Sequence, residues 1–384
     1  MGEPVIVDAV RAPVAKFRGA YRNIRPDSLY AQLINSLLRR TGIDASRIED
    51  VVTGCVTQSG EQGANVGRLA ALLSDLPQKV PAVTLDRMCG SSQQAVHFAS
   101  QAIAAGDAQY IIAGGIEHMT RVPMFSDIGG GFEKLNPALF EKYQLIHQGE
   151  SAERIVDLYD LTRDELDEFS YNSHVKAAAA TKAGYFKDQL EPVAGVDKDG
   201  NPMTLTWDEG IRFEPNLEKM KSLSPAFRTD GRVTAANSSQ ISDGTAALLI
   251  ADLDQAEADG FIPKARFRAR VAVGDDPTLQ LMAVVPATRE ALKRSGLSIH
   301  DLDVIEINEA FSSVVLAWAR ELSPDMEKVN PNGGAVAHGH PLGATGAVLM
   351  TKLLHELERR DARYGLQVMC IGHGMATATI LERM

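Results

Sequence analysis

The stretch Ser36-Leu37-Leu38-Arg39-Arg40-Thr41-Gly42-Ile43, followed by Ile48-Glu49-Asp50-Val51-Val52, reads as a helix, a glycine cap, an acidic turn and a strand. The same order returns near the other end, in Ala291-Leu292-Lys293-Arg294-Ser295-Gly296-Leu297 and then Asp301-Leu302-Asp303-Val304-Ile305. Each half continues with a Gly-containing turn, an apolar helix and a strand that ends near glycines. In the first half the helix is predicted from about Ser91 to Ala105, and the strand is Tyr110-Ile111-Ile112-Ala113 before Gly114-Gly115. In the second, the helix is predicted from about Gly343 to Leu357, and the strand is Gln367-Val368-Met369 before Cys370-Ile371-Gly372. Strands alternating with helices imply βαβ units and mixed or parallel sheets buried by helices. Repetition of this length and order implies an internal duplication.

Between the halves the texture changes. Residues from about 118 to 230 are richer in charge, Gly and Pro, with turns at Asp127-Ile128-Gly129-Gly130-Gly131 and Asp197-Lys198-Asp199-Gly200-Asn201-Pro202. One clear helix is expected there, from Thr162 to Ala183, opened by a capping box of Thr162 and Glu165 and closed before Gly184. The expected organisation is therefore a first half of residues 1–117 and 231–262, an inserted loop domain of 118–230 covering a site, and a second half of 263–384.

The 384 residues carry 39 basic and 50 acidic side chains, a net charge of −11, which argues against a nucleic-acid binder. Any polyanionic ligand must be held by local basic residues and backbone donors. No apolar run approaches the roughly 20 residues of a membrane helix. The start, Met1-Gly2-Glu3-Pro4-Val5-Ile6-Val7, has neither the basic region nor the apolar length of a signal peptide, and a cytoplasmic location is expected. Cys55, Cys89 and Cys370 are the only cysteines and form no CxxC pair, so disulfides and a structural zinc site are not expected.

Four elements carry chemistry. Cys89 follows Val83-Thr84-Leu85 and precedes the first-half helix, where unpaired N–H groups and the helix dipole favour a thiolate. Its own N–H can also face an oxyanion. Position alone leaves an inert, buried cysteine equally open. Asn332 to Gly346, Asn-Gly-Gly-Ala-Val-Ala-His-Gly-His-Pro-Leu-Gly-Ala-Thr-Gly, delivers His338 and His340 just before a helix. A metal reading of the two histidines lacks third and fourth ligands nearby, and a general base beside a thiol fits better. Cys370-Ile371-Gly372-His373-Gly374-Met375 ends a strand with glycine backbone free to donate. Asn308-Glu309-Ala310-Phe311 follows the strand Val304-Ile305-Glu306-Ile307, as either a polar site or a plain turn.

At these elements the chain resembles the thiolase family. Thiolases carry an acyl-accepting Cys before a helix, an Asn-Glu-Ala-Phe motif, a Gly-His-Pro motif and a final Cys-x-Gly-x-Gly motif. This chain has Cys89, Asn308 to Phe311, Gly339-His340-Pro341 and Cys370 to Gly374 in that order. Val10-Arg11-Ala12-Pro13, Gly114-Gly115-Ile116-Glu117-His118-Met119 and Val233-Thr234-Ala235-Ala236-Asn237-Ser238-Ser239 match as well, so the resemblance spans the chain. It implies an α/β thiolase fold: two duplicated mixed-sheet domains in five α-β-α-β-α layers, with an inserted loop domain. It also implies reversible thiolysis of a 3-oxoacyl-CoA to acetyl-CoA and a shortened acyl-CoA, or the reverse Claisen condensation, through an acyl-Cys89 intermediate. His340 would take the Cys89 proton, and Cys370 would exchange the α-proton. His340 with an Asn308-held water would face the enolate, and the N–H groups of Cys89 and Gly372 would face the tetrahedral oxyanion. Arg212 and Ser239 would lie along coenzyme A, with His147, Gln148, Gln280 and Phe311 on the substrate side. Coenzyme A and acyl-CoA enter as substrates, with no permanently bound cofactor, and a homodimer or homotetramer paired through the first half is implied. The alternative within the superfamily is a decarboxylating ketoacyl synthase, which lacks the second cysteine. Cys55 matches no family site and is read as packing.

Four departures from the family pattern concern the substrate side. His373 stands where the middle Gly of Cys-x-Gly-Gly-Gly is usual, and Gln148 interrupts the usual His-Met-Gly at His147-Gln148-Gly149. Gln280 aligns with a second pocket methionine. Before the nucleophile the usual Asn is Asp86, and the usual Cys-Ala-Ser-Gly is Cys89-Gly90-Ser91-Ser92. Two buried glutamines would be left unsatisfied by a plain alkyl group, so a polar or ring-bearing acyl group, or ordered water, is expected there, unless one or both side chains turn outward to solvent.

Overall fold

The computed structural model describes residues 2–384. Its strands in chain order are β1 (Pro4–Arg11), β2 (Ala15–Lys16), β3 (Asp50–Gly54), β4 (Ala82–Leu85), β5 (Tyr110–His118), β6 (Val193–Val196), β7 (Pro202–Leu205), β8 (Ser242–Asp252), β9 (Ala265–Gly274), β10 (Val304–Ile307), β11 (Tyr364–Ile371) and β12 (Met375–Arg383). The main sheet runs β10-β11-β12-β9-β1-β8-β5-β3-β4, with β2 on β8. From its centre the two arms have one order. β1-β8-β5-β3-β4 is matched by β9-β12-β11-β10, and Val329 bridges Ile305 in parallel where a counterpart of β4 would lie. Parallel pairs match parallel pairs (β3–β5 and β10–β11), and antiparallel match antiparallel (β5–β8 and β11–β12). Even the register shift between Ile6 and Asp8 has a counterpart between Ile380 and Leu381. The sequence leads one to expect two separate sheets. Instead they meet edge to edge at a short seam, Val5 with Arg266 and Ile6 with Ala265.

Burial explains the layers. β8 is buried from Ser242 to Ala251 and reads as a nearly continuous apolar run after its first residues, as a strand covered on both faces must. Helices Ser91–Ala105 and Thr345–Arg359 form the middle layer, sharing one apolar cluster with Ile6, Val52, Leu248 and Leu381 of both arms. Helices Pro26–Thr41 and Val66–Leu73 cover the outer face of the first arm. Val284–Ser295 and Ser312–Leu322 cover that of the second, giving five alternating layers. No helix among the described residues is long and apolar enough to cross a membrane.

Residues 118–230 contain helix Arg163–Lys182, with the expected Thr162–Glu165 capping box and Gly184 at φ 76°. They also contain a helix the sequence reading misses, Gln148–Leu158. Its cap is His147, whose Nδ1 accepts the Gly149 N–H at 3.0 Å, outside the usual Ser, Thr, Asp and Asn set.

The middle helix Thr345–Arg359 is buried from Thr345 to Leu357 and includes a lysine. Lys352 Nζ donates to Glu306 Oε2 at 2.9 Å and to the Gly333 carbonyl at 2.7 Å, tying the helix to β10 and to the glycine turn. Removing one member of such a pair leaves an uncompensated buried charge, at about 3–5 kcal/mol. Lys352→Met should therefore destabilise strongly in urea denaturation, and adding Glu306→Gln should recover much of the loss. A Lys352→Met protein with unchanged stability would show that the pair does not anchor the helix.

Candidate active site

The local sequence around Cys89 builds a strained turn. Met88 has φ 48°, and Asp86 Oδ1 accepts its N–H at 2.5 Å. Ser91 Oγ donates to the Met88 carbonyl at 2.6 Å and accepts the Arg87 N–H at 2.9 Å. Asp86, a departure from the family pattern, thus acts as the clasp of the turn. Gly90 lets that turn press onto the end of β11, since a Cβ there would sit 2.3 Å from Ile371 Cδ1. Cys89 and Cys370 are thereby brought near enough for charge on Cys370 to act on the Cys89 thiol.

The helix-start argument for a thiolate at Cys89 fails. Cys89 is only 6% exposed, and desolvation drives its pKa far above the ordinary thiol value, with Cys370 adding to the rise. The residue rests as a thiol and needs a base. Cys370, 1% exposed, is likewise pushed up to about 11 by burial, against the opposing pull of a hydrogen bond from Asn308.

A neutral imidazole stands at His340. Burial pushes its pKa down to about 4, so the imidazole is neutral near pH 7. Its Nδ1 lies 2.7 Å from Thr345 Oγ1, and that hydroxyl gives its single proton to the Pro341 carbonyl at 2.9 Å. The hydroxyl therefore accepts from Nδ1–H, which leaves the Nε2 lone pair free. Nε2 is buried without a partner. The same holds for Asn308 Oδ1, while Asn308 Nδ2 donates to Cys370 Sγ at 3.6 Å. Two buried, unpartnered polar atoms stand on two loops, one leading into the middle-layer helix at Thr345 and one leaving β10, where a ligand could satisfy them.

Glu117 holds this arrangement in place. Its Oε2 accepts the N–H groups of Gly343 at 2.8 Å and Val56 at 2.9 Å, and its Oε1 accepts from Thr57 N–H and Gln62 Nε2. The His340 loop is thus pinned to the end of β3. A Cβ on Gly343 would sit 2.7 Å from Cys55 Cα, so Cys55, fully buried, forms part of the wall that loop packs on. Glu117 lay within a matched stretch of sequence but carried no signal of its role. Thr345 went unread, although a Thr five residues beyond the histidine at a helix start was visible. His338 stands apart: its Nδ1 faces Asp208 at 2.7 Å and its Nε2 the Asn332 carbonyl at 2.9 Å, and both nitrogens are committed to the fold.

The family model for the thiolase N-terminal domain matches residues 4–254, and that for the thiolase C-terminal domain matches 261–383. This chain belongs to the thiolase family. It is 45% identical to a steroid 3-ketoacyl-CoA thiolase of Mycobacterium tuberculosis, covering all of this chain and 95% of that protein. It is 43% identical to a 3-ketoacyl-CoA thiolase of Salmonella typhimurium and 42% identical to a 3-oxoadipyl-CoA/3-oxo-5,6-dehydrosuberyl-CoA thiolase of Escherichia coli, over the full length of each. The crystal structure of the Bacillus anthracis acetyl-CoA acetyltransferase superposes with a TM-score of 0.92 at 34% identity, covering 100% of this chain and 99% of that one. The thiolase fold and the acyltransferase activity follow, and the ketoacyl synthase alternative does not.

On the substrate side of this thiolase, Gln148 and Gln280 part company. Gln148 lines a cavity of about 350 Å³ beside Cys89, with its Nε2 2.8 Å from where a Gly372 Cβ would be. Gln280 is not left unsatisfied, contrary to the sequence expectation. Its Nε2 donates to the Ile146 carbonyl at 2.9 Å and its Oε1 accepts the His373 N–H at 3.0 Å. It braces the Cys370 loop and forms no part of that cavity's wall. His373, where the family usually has Gly, has φ 61°, a conformation that costs a side-chain-bearing residue about 1 kcal/mol. His147 stacks on Phe227 at 5.5 Å and meets Phe125 and Phe132 edge-on, while Phe311 meets Phe227 at 5.9 Å. These two belong to an aromatic cover and do not touch the cavity. Arg212 borders a separate groove of about 460 Å³ with His174, Lys219, Ala236 and Gln240. Ser239 lies beside it in sequence, its N–H donating to the Ala310 carbonyl at 2.9 Å.

With a base at about 4, acylation by a simple acyl-CoA should show no rate limb near pH 6.5, where an ordinary histidine titrates. Thr345→Val should cut kcat/KM roughly 10- to 100-fold by stranding a buried N–H, and Thr345→Ser should restore it. Imidazole nitrogen NMR would report the tautomer directly. A bell centred near neutrality in the wild type, or full activity in Thr345→Val, would contradict this account of His340.

Proposed function

We propose that this thiolase cleaves 3-oxoacyl-CoA with Cys89 as nucleophile, His340 as its base, Cys370 as the proton donor and acceptor, and Asn308 and Gly372 as oxyanion supports. The observation that carries the reading is the pair of buried, unpartnered atoms, His340 Nε2 and Asn308 Oδ1, beside two protonated thiols. Cys89 Sγ attacks the 3-oxo carbon and its proton passes to His340 Nε2. The oxyanion meets the N–H groups of Cys89 and Gly372. As the carbonyl re-forms, the bond between C2 and C3 breaks and its electron pair becomes the enolate of acetyl-CoA. That enolate oxygen faces the new Nε2–H and a water on Asn308, and the Cys370 thiol protonates C2. A second coenzyme A then gives its thiol proton to the Cys370 thiolate and attacks acyl-Cys89. The departing Cys89 sulfur recovers its proton from His340, which closes the cycle.

The groove beside Arg212 takes the coenzyme A arm in this reading, because Arg212 and Lys219 offer positive charge on a chain of net −11. Arg212 forms no ion pair among the described residues, and its backbone N–H is held by His174 Nδ1 at 3.2 Å. Ser239 lies along the pantetheine. Residues 1–117 with 231–262, 118–230 and 263–384 act as first half, cover and second half. A second copy pairs along β4, a sheet edge flanked by exposed Leu72, Leu73, Val83 and Phe98. Cytoplasmic action fits three free, buried cysteines.

Intact-mass analysis after incubation with an acyl-CoA should show one added acyl group, mapped to Cys89 and absent in Cys89→Ala. Cys370→Ala should keep acyl transfer to Cys89 while losing exchange of acetyl-CoA α-protons in deuterated water. Acylation on Cys370, or equal survival of both half-reactions in Cys370→Ala, would overturn the assignment.

A further inference from the structure

The cavity beside Cys89, at about 350 Å³, is far larger than an acetyl group requires. Its walls are mostly apolar and pliant, with Met88, Met124 and Met375 facing Phe125, Phe132 and Leu135. Methionine adapts to irregular shapes, which suits a bulky guest.

The polar groups on these walls are few: Asp86, Arg87, Asp127, Gln148 and His373, of which Arg87 carries a buried Nε without a partner. Asp86 clasps the Met88 turn, and the Arg87 guanidinium lies against Met375 Sδ at 4.0 Å. Among these polar residues His373 alone is held at positive φ. Its backbone N–H is held by Gln280, and its ring meets Phe132 edge-on at 5.9 Å. Neither ring nitrogen has a protein partner among the described residues, and the ring borders the cavity. A bulky side chain held at positive φ in an active-site loop is a strained feature of the kind that accompanies function. The cavity's charges add a second constraint, since Asp86 and Asp127 outnumber Arg87.

We propose that His373 is a specificity-determining residue of this thiolase, its imidazole hydrogen-bonding an oxygen substituent on a bulky, uncharged acyl group seated in the cavity. An acyl chain that ends in a carboxylate is disfavoured there by Asp86 and Asp127. The inference rests on the reading of Cys89 as the acyl acceptor. It separates this chain from relatives that share the same catalytic residues, because the discriminating groups lie on the acyl side.

The test compares kcat/KM for thiolysis of three matched 3-oxoacyl-CoA substrates: one with a plain cycloalkyl group, one with the same ring bearing a hydroxyl or keto oxygen, and one ending in a carboxylate. Wild-type protein should prefer the oxygenated ring over the plain one by about tenfold, the worth of one good hydrogen bond, and should cleave the carboxylate substrate most slowly. His373→Gly keeps the N–H that Gln280 binds and tolerates the positive φ, so the loop stays in place while the preference falls to near one. His373→Asn, which also tolerates positive φ and keeps amide donors, should retain part of it. A preference unchanged in His373→Gly, or absent in the wild type, would overturn the role of His373. A carboxylate substrate cleaved as well as the plain ring would overturn the exclusion. A wild type that acylates Cys89 from a simple acyl-CoA yet cleaves none of the three would overturn this inference alone, whereas a wild type that fails to acylate Cys89 would overturn the site assignment on which it rests.

Discussion

The close approach of the two middle-layer helices is the constraint on which everything else depends. Their starts, at Ser91 and Thr345, lie in the centre of a five-layer stack, and each meets the strand ends of the other half. The Cys89 turn rests on Ile371 of β11, and the His340 loop rests on Cys55 and Glu117 at the ends of β3 and β5. At Gly346 a Cβ would sit 2.4 Å from the Gln93 backbone nitrogen, so the helices approach too closely there for any side chain. Duplication makes the arrangement possible. Two copies of one βαβ pattern present equivalent loop ends to a common centre, and different chemistry has been placed on each.

Burial sets the protonation states in that centre. Desolvation is the largest influence on Cys89, Cys370 and His340, raising the two thiols and lowering the imidazole. All three groups therefore rest uncharged near neutral pH, and no ion pair is needed to hold them. Hydrogen bonding then sets direction: Thr345 selects the tautomer, and Glu117 fixes the loop that carries the ring.

The cavity wall is assembled from both halves and from the segment between them. Cys89, Asn308, His340 and Cys370 come from the loop ends of the duplicated halves. The cavity wall draws Met124, Phe125, Asp127, Phe132 and Gln148 from the segment between them. Relatives at similar identity carry names that specify steroid 3-ketoacyl, 3-ketoacyl and 3-oxoadipyl substrates. A segment outside the sheets can vary without disturbing the strand register on which the reacting atoms depend.

The sequence by itself determined the repeat of helix, glycine cap and strand, because glycine caps, capping boxes and apolar periodicity are local signals. The layering came from the family resemblance, and the strand order and the seam joining the two arms only from the folded chain. The sequence also marked Cys89, His340, Asn308 and Cys370, since each sits in a short motif at the end of an element. Tertiary structure decided what those residues are. A helix start suggested a thiolate at Cys89, but desolvation by distant elements keeps it a thiol. Gln280 read as a pocket residue, yet its amide spans Ile146 and His373, 134 and 93 residues away. Glu117 gave no sign of its role because its decisive partner, Gly343, lies 226 residues further along the chain. Local pattern fixes elements through backbone conformation and side-chain period. Protonation, tautomer and hydrogen-bond partnership depend on which groups exclude water from one another, and only the folded chain brings those groups together.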